Sequence, residues 1–359
     1  MSASLNKRNI VIFTQSILPG GAERQALYLA EAIQNDHRVF FVTFYKVTEQ
    51  AAKNLSILNA LNVSQIELKG SILNKIVTFY KLLKIEKINI IFSYLLLPNL
   101  LGGMVGLIAG VKYPIGGIRS SKFSKGKIWF NRMLQNHINK YTIYNNKTGF
   151  QENIQRGFNP SRALLIYNCI ELKTEKIIRK NPDIIKILSV GRFTELKDYY
   201  TALLAIKSLV QNINNIKYNI VGYGPYLPQI RSWIHEFELE MHVEVIINPP
   251  NIDEFYKLSD VFLLTSIFEG LSNAVLEAMS YSLPLVLTDA GDNKTLVENN
   301  NGFLCKIGDF KDIAIKLGLL VKNRELRNSF GINSFELVSK NYSFKSFKEN
   351  YLNFIISLK

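Results

Sequence analysis

Short runs of β-branched and aromatic residues alternate along this chain with amphipathic segments whose apolar positions recur every three to four residues. The strand-like runs of the first half are NIVIFT (9–14), RVFFVTFY (38–45), NIIFSYL (89–95), PIGGI (114–118), YTIYN (141–145) and ALLIYN (163–168). Those of the second half are IKILSVG (185–191), KYNIVG (217–222), VEVII (243–247), DVFLLTS (260–266) and PLVLTD (284–289). Helical patterns such as AERQALYLAEAI (22–33) and ALLAIKSLV (202–210) lie between them. Strands separated by helices call for parallel sheets, so the pattern predicts an α/β chain. A polar stretch, ELKTEKIIRKNPD (171–183), interrupts the rhythm and reads as a linker.

The predicted organisation is a Rossmann-like domain over 1–170, a linker over 171–184, a second Rossmann-like domain over 185–340 and a terminal helix over 341–359. Each half holds enough strand–helix units for its own doubly wound parallel sheet, and two such sheets facing each other would leave a cleft at the carboxyl ends of their strands. The terminal stretch places Phe344, Phe347, Tyr351, Phe354 and Ile355 on one helical face, which needs an apolar surface to cover.

Residues 88–111 carry no charge and are long enough to be weighed as a membrane span, but Pro98 and Asn99 interrupt them. A buried strand, a turn and a small-residue helix are expected instead. The start of the chain shows no secretion signal. With 359 residues and 47% hydrophobic positions, the chain has the material for two cores. Its 2 cysteines, Cys169 and Cys305, offer neither a disulfide framework nor zinc spacing. The 4 histidines are scattered singly, which argues against a histidine-rich metal centre.

Charge is unevenly placed. The net +14 is carried entirely by residues 1–170, with 21 Lys and Arg against 7 Asp and Glu; the remainder is balanced at 22 against 22. No acidic residue occurs between Glu86 and Glu152, a stretch containing Lys87, Lys112, Arg119, Lys122, Lys125, Lys127, Arg132, Lys140 and Lys147. Such a field favours an anionic partner: a phospholipid surface, a lipid-linked phosphate or nucleic acid. A solvated face in a lysine-rich chain is the plainer account.

Three segments carry candidate chemistry. In ILPGGAERQALYLA (17–30), Gly20 and Gly21 stand between a strand and a helix, where they allow close approach of a ligand to helix N–H groups, or simply make a tight turn. In SVGRFTELKDYYTAL (189–203), Arg192 and Lys197 follow a strand end and can both reach a diphosphate, one as a planar fork and one as a point charge. In SIFEGLSNAVLEAMSYSLPLVLTD (266–289), Glu269 leaves a strand, Gly270, Leu271, Ser272 and Asn273 form a turn, and Glu277 lies in the helix that follows. A carboxylate accepts from two neighbouring hydroxyls, so Glu277 suits a ribose diol and Glu269 a sugar hydroxyl, with the N–H groups of 270–273 suited to phosphate. Helix capping explains Glu269 or Ser272 separately, but not Glu277 on the same side.

Together with VGYGPY (221–226), these segments resemble, in order, the family 4 retaining glycosyltransferases of GT-B fold. In that family the PGGAER-like turn, the G-R-x(4)-K loop, the G-x-G-P turn and the E-x(7)-E signature all line one nucleotide-sugar cleft, so the resemblance implies donor binding by Gly20, Gly21, Arg192, Lys197, Gly222, Gly224, Glu269, the turn 270–273 and Glu277. The resemblance implies two facing Rossmann-like domains, a nucleotide-sugar donor bound by the second, and a terminal helix crossing back to the first. Where many members read N-G-I-D, this chain has Asn168, Cys169, Ile170 and Glu171, and it has no histidine in FSYLLLPN (92–99).

The resemblance implies a retaining transfer of a hexose or N-acetylhexosamine from a nucleoside diphosphate sugar, UDP favoured over GDP, to a hydroxyl of a lipid-linked or oligosaccharide acceptor in surface polysaccharide biosynthesis. Arg192, Lys197 and Glu269 are the expected catalytic residues, and Asn99 and Arg119 are candidates on the acceptor side. No cofactor is expected, and no metal, since no Asp-x-Asp motif occurs. The expected site of action is the cytoplasmic face of the membrane, with the protein held peripherally on an anionic surface. A GT-B epimerase would want further acid/base residues, and a pyridoxal-dependent phosphorylase its lysine; neither is identifiable. Nucleic-acid binding lacks an interleaved aromatic and basic platform and any helix-turn-helix or zinc-finger spacing.

Overall fold

The computed structural model describes residues 7–18, 20–46, 48, 51–119, 124–172, 175–180, 182–298 and 300–358. Lys122 of the acid-free stretch, Pro19 of the first glycine turn and the chain start therefore lie outside the described residues. The chain divides into two compact units, one running up to Cys169 and resuming at Phe344, the other covering Ile170–Ser343.

The first unit is a seven-stranded sheet built from β1 (Asn9–Thr14), β2 (Arg38–Thr43), β3 (Ser64–Glu67), β4 (Ile90–Ser93), β5 (Tyr113–Ile118), β6 (Tyr141–Tyr144) and β7 (Ala163–Leu165). Its order is β3-β2-β1-β4-β5-β6-β7, and every pairing is parallel. Because side chains alternate across a strand, consecutive residues of β1 feed two cores. Ile10 and Ile12 join a cluster with Leu27, Leu29 and Ile33 of the helix Gly21–Ile33, whereas Val11 and Phe13 join Phe79, Leu83 and Val105. Burial on both faces explains why the central strands read as continuous apolar runs.

The terminal helix Phe344–Ser357 belongs to this unit. Phe347, Tyr351, Phe354 and Ile355 lie in the same cluster as Ile10 and Ile12, and Phe92 of β4 meets the rings of Tyr351 and Phe354 edge-on. The apolar stretch 88–111 folds as β4 and the helix Leu96–Ile108. Its break falls at Leu95 (φ 74°), three residues before the proline expected to make it. Pro98 instead sits in the first helical turn, where its missing N–H has no intrahelical partner to lose.

The second unit is a six-stranded parallel sheet of β8 (Ile185–Arg192), β9 (Ile216–Tyr223), β10 (Val243–Ile247), β11 (Val261–Leu264), β12 (Leu285–Thr288) and β13 (Gly302–Cys305). Its order is β10-β9-β8-β11-β12-β13. Each sheet thus reverses its strand order once, between β1 and β4 and between β8 and β11, which in doubly wound folds is where ligands bind at the carboxyl ends.

Two strands escape the apolar pattern, β3 and β13, and both are edges. Ser64–Glu67 has no buried residue at all, so only pairing with β2 makes it a strand. The polar run 171–184 is not a free linker, because it is part of the second unit. Arg179 reaches in from it and donates to the carbonyls of Ser259 (2.6 Å), Ser282 (2.7 Å) and Tyr281 (2.8 Å). A run that looks solvated in composition is pinned because its arginine satisfies carbonyls left open at chain turns.

Candidate active site

At the reversal point of the second unit, β8 ends at Arg192 and the chain passes through a single helical turn, Glu195–Lys197, before Asp198 opens the helix Tyr199–Val210. Asp198 adopts a left-handed conformation (φ 46°) and caps that helix by accepting from the Thr201 N–H at 3.2 Å. Asp tolerates this region better than most residues, which lets the loop turn sharply after Lys197. The loop is also tied to the end of β11. Thr265 Oγ1 donates to the carbonyls of Lys197 (3.0 Å) and Asp198 (2.9 Å), and the Ile267 N–H donates to Leu196 (2.9 Å).

This tether brings Lys197 and Glu269, 72 residues apart, into contact: Nζ lies 2.5 Å from Glu269 Oε1, with 18% and 12% of the side chains exposed. The same oxygen accepts from Ser266 Oγ at 2.6 Å. Ser266 is fully buried, and Thr288 Oγ1 at the end of β12 holds its carbonyl at 2.6 Å. Arg192 is exposed at the end of β8 and has no ion pair among the described residues.

The turn 270–272 leads into the helix Asn273–Ser280. Ser272 stands at its N-cap and makes no capping hydrogen bond, and Glu269 is engaged with Lys197 and Ser266, so neither is spent on the helix end. The helix amino terminus is a place where backbone N–H groups and the helix dipole favour an anion. Glu277 follows within this helix, and its Oε2 accepts from the Tyr256 hydroxyl at 2.9 Å. Burial pushes the Tyr256 phenol well above its ordinary range, with the Glu277 charge adding to the shift, so this hydroxyl stays a donor.

Gly222 lies near the end of the neighbouring strand β9 and Gly224 directly follows it. A side chain at Gly222 would collide with the Gly191 carbonyl oxygen and one at Gly224 with the Phe193 backbone. These glycines let the ends of β8 and β9 lie against each other just behind Arg192, which is a structural reason for a motif otherwise read as ligand contact.

The candidates of the first unit behave differently. Gly20 is extended (φ −161°) at the N-cap of Gly21–Ile33, and a side chain there would run into the Glu23 carboxylate. Burial raises the pKa of that carboxyl, partly offset by its own backbone N–H and by Arg119. Asn99 is buried and spends both ends of its amide on Gly117, donating to its carbonyl at 2.8 Å and accepting from its N–H at 2.9 Å. It is a clasp between helix and strand, a structural role for the residue expected on the acceptor side. Arg119 lies over the Tyr94 ring at 4.3 Å and donates to Asn168 Oδ1 at 2.7 Å, while its Nε is buried without a partner. Cys169, which stands where the family pattern has glycine, is held as well: the Gln25 amide clasps its backbone at 2.8 and 3.0 Å.

Residues 171–337, which hold Arg192, Lys197, Glu269 and Glu277, match the model of the family described as glycosyl transferases group 1. The match covers nearly all of the second unit. Over 167 residues the chain is 29% identical to an uncharacterized glycosyltransferase of Haemophilus influenzae, a match covering 46% of this chain and 47% of that one. The chain thus aligns with about half the length of that relative. It is 22% identical over 315 residues to the Escherichia coli UDP-Gal:alpha-D-GlcNAc-diphosphoundecaprenol alpha-1,3-galactosyltransferase, covering 79% of this chain and 80% of that one. Among solved structures, Anabaena HepE in complex with UDP superposes with a TM-score of 0.84 at 18% identity, covering 98% of this chain and 100% of that one. The fold, two parallel-sheet α/β units, is that of the GT-B glycosyltransferases.

The second unit also brings together side chains that motif spacing did not single out. Ser266 stands within the same segment as Glu269, three residues before it, so proximity in sequence was available as a signal. Tyr256, 21 residues before Glu277 in a short separate helix, Asp253–Leu258, had none.

Proposed function

We propose that the protein transfers a hexose or N-acetylhexosamine from a nucleoside diphosphate sugar to a hydroxyl of a growing lipid-linked glycan, with retention at the anomeric carbon and without a metal. The observation that carries this reading is the Lys197–Glu269 pair at the reversal point, with Arg192 at the end of β8 and Glu277 on the helix that follows Glu269. In this reading Arg192 and Lys197 receive the charge that grows on the departing diphosphate, Glu269 accepts from a sugar hydroxyl and Glu277 from the ribose diol. The bond between the anomeric carbon and the diphosphate oxygen breaks, and the acceptor oxygen bonds to that carbon on the same face. The leaving phosphate oxygen takes the acceptor proton, so no protein nucleophile is needed.

Uridine as the nucleotide is supported by HepE, solved with UDP and with UDP-glucose, and by the UDP-Gal named for the Escherichia coli relative. That relative's diphosphoundecaprenol acceptor also supports a lipid-linked substrate here. A peripheral position on the cytoplasmic membrane face accords with the basic excess of residues 1–170 and with Ile72 and Leu73, each 69% exposed at the start of the helix Ile72–Ile85 beside Lys69 and Lys75. No helix among the described residues is long and apolar enough to cross a membrane. The test is incubation with radiolabelled nucleotide sugars and lipid extract in the presence of EDTA. Label transferred to lipid is expected; conversion of the donor alone would point to an epimerase, and loss with EDTA restored by magnesium would overturn the metal-free step.

A further inference from the structure

The helices that present Tyr256 and Glu277 end at neighbouring places. Asp253–Leu258 stops just before Ser259, and Asn273–Ser280 just before Tyr281. One guanidinium, that of Arg179, donates to the carbonyls of Ser259, Tyr281 and Ser282, so it ties the two helix ends together. Above this clamp the Tyr256 and Tyr281 rings stack at 5.7 Å with an interplanar angle of 5°, and Phe262 of β11 lies on Tyr256 at 6.1 Å. Tyr256 is 0% exposed, and its hydroxyl emerges from this aromatic packing onto Glu277 Oε2.

A carboxylate at the end of a flexible side chain turns freely about its last torsion, which is broad for Glu. A rigid buried donor on one oxygen removes that freedom and sets the plane in which the group can accept further hydrogen bonds. We propose that Tyr256 is a positioning residue for nucleotide recognition: its hydroxyl sets the Glu277 carboxylate to read the two vicinal hydroxyls of a ribose, and the Arg179 clamp holds the helices at the spacing this requires. The inference rests on the reading of Glu277 as the ribose contact, and it adds the device that makes this contact selective for ribose over 2′-deoxyribose. Arg179 suits the clamp because it remains charged at neutral pH, even though burial lowers its pKa to about 10 against the partial support of Asp260.

The test is calorimetric titration of the full chain with UDP and with 2′-deoxyUDP, for the wild type, Tyr256→Phe and Tyr281→Phe. The wild type should prefer UDP by about tenfold, the size of one hydrogen bond to a charged group. Tyr256→Phe should lose most of that preference by weakening UDP while leaving 2′-deoxyUDP nearly unchanged. Tyr281→Phe removes the hydroxyl of the stacked neighbour, which is directed to Asp253, and should keep the wild-type preference. A Tyr256→Phe protein that discriminates as well as the wild type overturns the positioning role, as does equal loss in both phenylalanine variants, which would make the effect one of general packing. A wild type that does not distinguish the two nucleotides would instead remove the ribose assignment of Glu277.

Discussion

The two units repeat one topology and use their polar residues in opposite ways. Both are doubly wound sheets that reverse order beside their first strand. In the second unit, groups from the loops after β8 and β11 and from the helices on either side of β11 meet in pairs, Lys197 with Glu269 and Tyr256 with Glu277, and the Ser266 hydroxyl joins the first pair. In the first unit polar side chains meet backbone or one another within the fold, Asn99 on Gly117, Gln25 on Cys169 and Arg119 on Asn168. Its charge is spread instead over lysines such as Lys87, Lys112, Lys125 and Lys127, all exposed. Fixed pairs suit a ligand whose shape does not vary, such as a nucleoside diphosphate; a diffuse field suits a charged surface or a bulky anionic acceptor.

The contrast breaks most decisively at Lys197. Lys197→Ala should lower kcat by about 100-fold or more, the usual loss for a donor aimed at developing charge, with a smaller change in KM. Arg192→Ala should show the same pattern. Single-turnover rates decide it, and a pure KM effect would make these residues ground-state binders.

Glu277→Ala should weaken UDP by about 10- to 100-fold, corresponding to roughly 1.5–3 kcal/mol for a charge-assisted hydrogen bond, whereas Glu269→Ala should spare free UDP and act on the sugar. Equal losses in both variants would erase the division of labour within the pair.

For the first unit the expected signature is a field and not a pair. The protein should sediment with anionic but not neutral vesicles, and high salt should release it. Each of Lys125→Ala and Lys127→Ala should weaken binding by about 1 kcal/mol, roughly fivefold. Indifference to lipid charge would return the acceptor to solution.

The smallest effect on activity is expected at Asn99. Asn99→Ala takes the side-chain partner from the half-buried Gly117 N–H and carbonyl and should cost about 1–3 kcal/mol of stability, seen as a lower Tm. UDP affinity should not change, because the clasp lies in a different unit from Lys197, Glu269 and Glu277. A variant with full stability and lost transfer would restore Asn99 to the acceptor side.

Much of this molecule was legible in its residues because the signals are local. Buried parallel strands announce themselves as apolar runs, and the G-R-x(4)-K and E-x(7)-E spacings place Arg192 at a strand end, Lys197 and Glu269 in the segments that leave strands, and Glu277 in the helix that follows. The short edges β3 and β13 were not legible, since a four-residue strand such as Ser64–Glu67 is defined by its neighbour and not by its own hydrophobicity. Pro98 misplaced a break that Leu95 makes, because a proline in the first turn of a helix disturbs nothing.

By itself the sequence determined the α/β class, the division of charge between the halves and the identities of the carboxylates and cations at the strand ends. Only the tertiary structure decided their partners. Lys197 meets Glu269 across 72 residues because Thr265 ties the loop after β8 to the end of β11. Arg179, lodged in a polar run that looked like a tether, clamps two helix ends and so sets how Tyr256 meets Glu277. Hydrogen bonds act over about 3 Å and are indifferent to separation along the chain, so spacing in sequence can nominate the groups but cannot pair them.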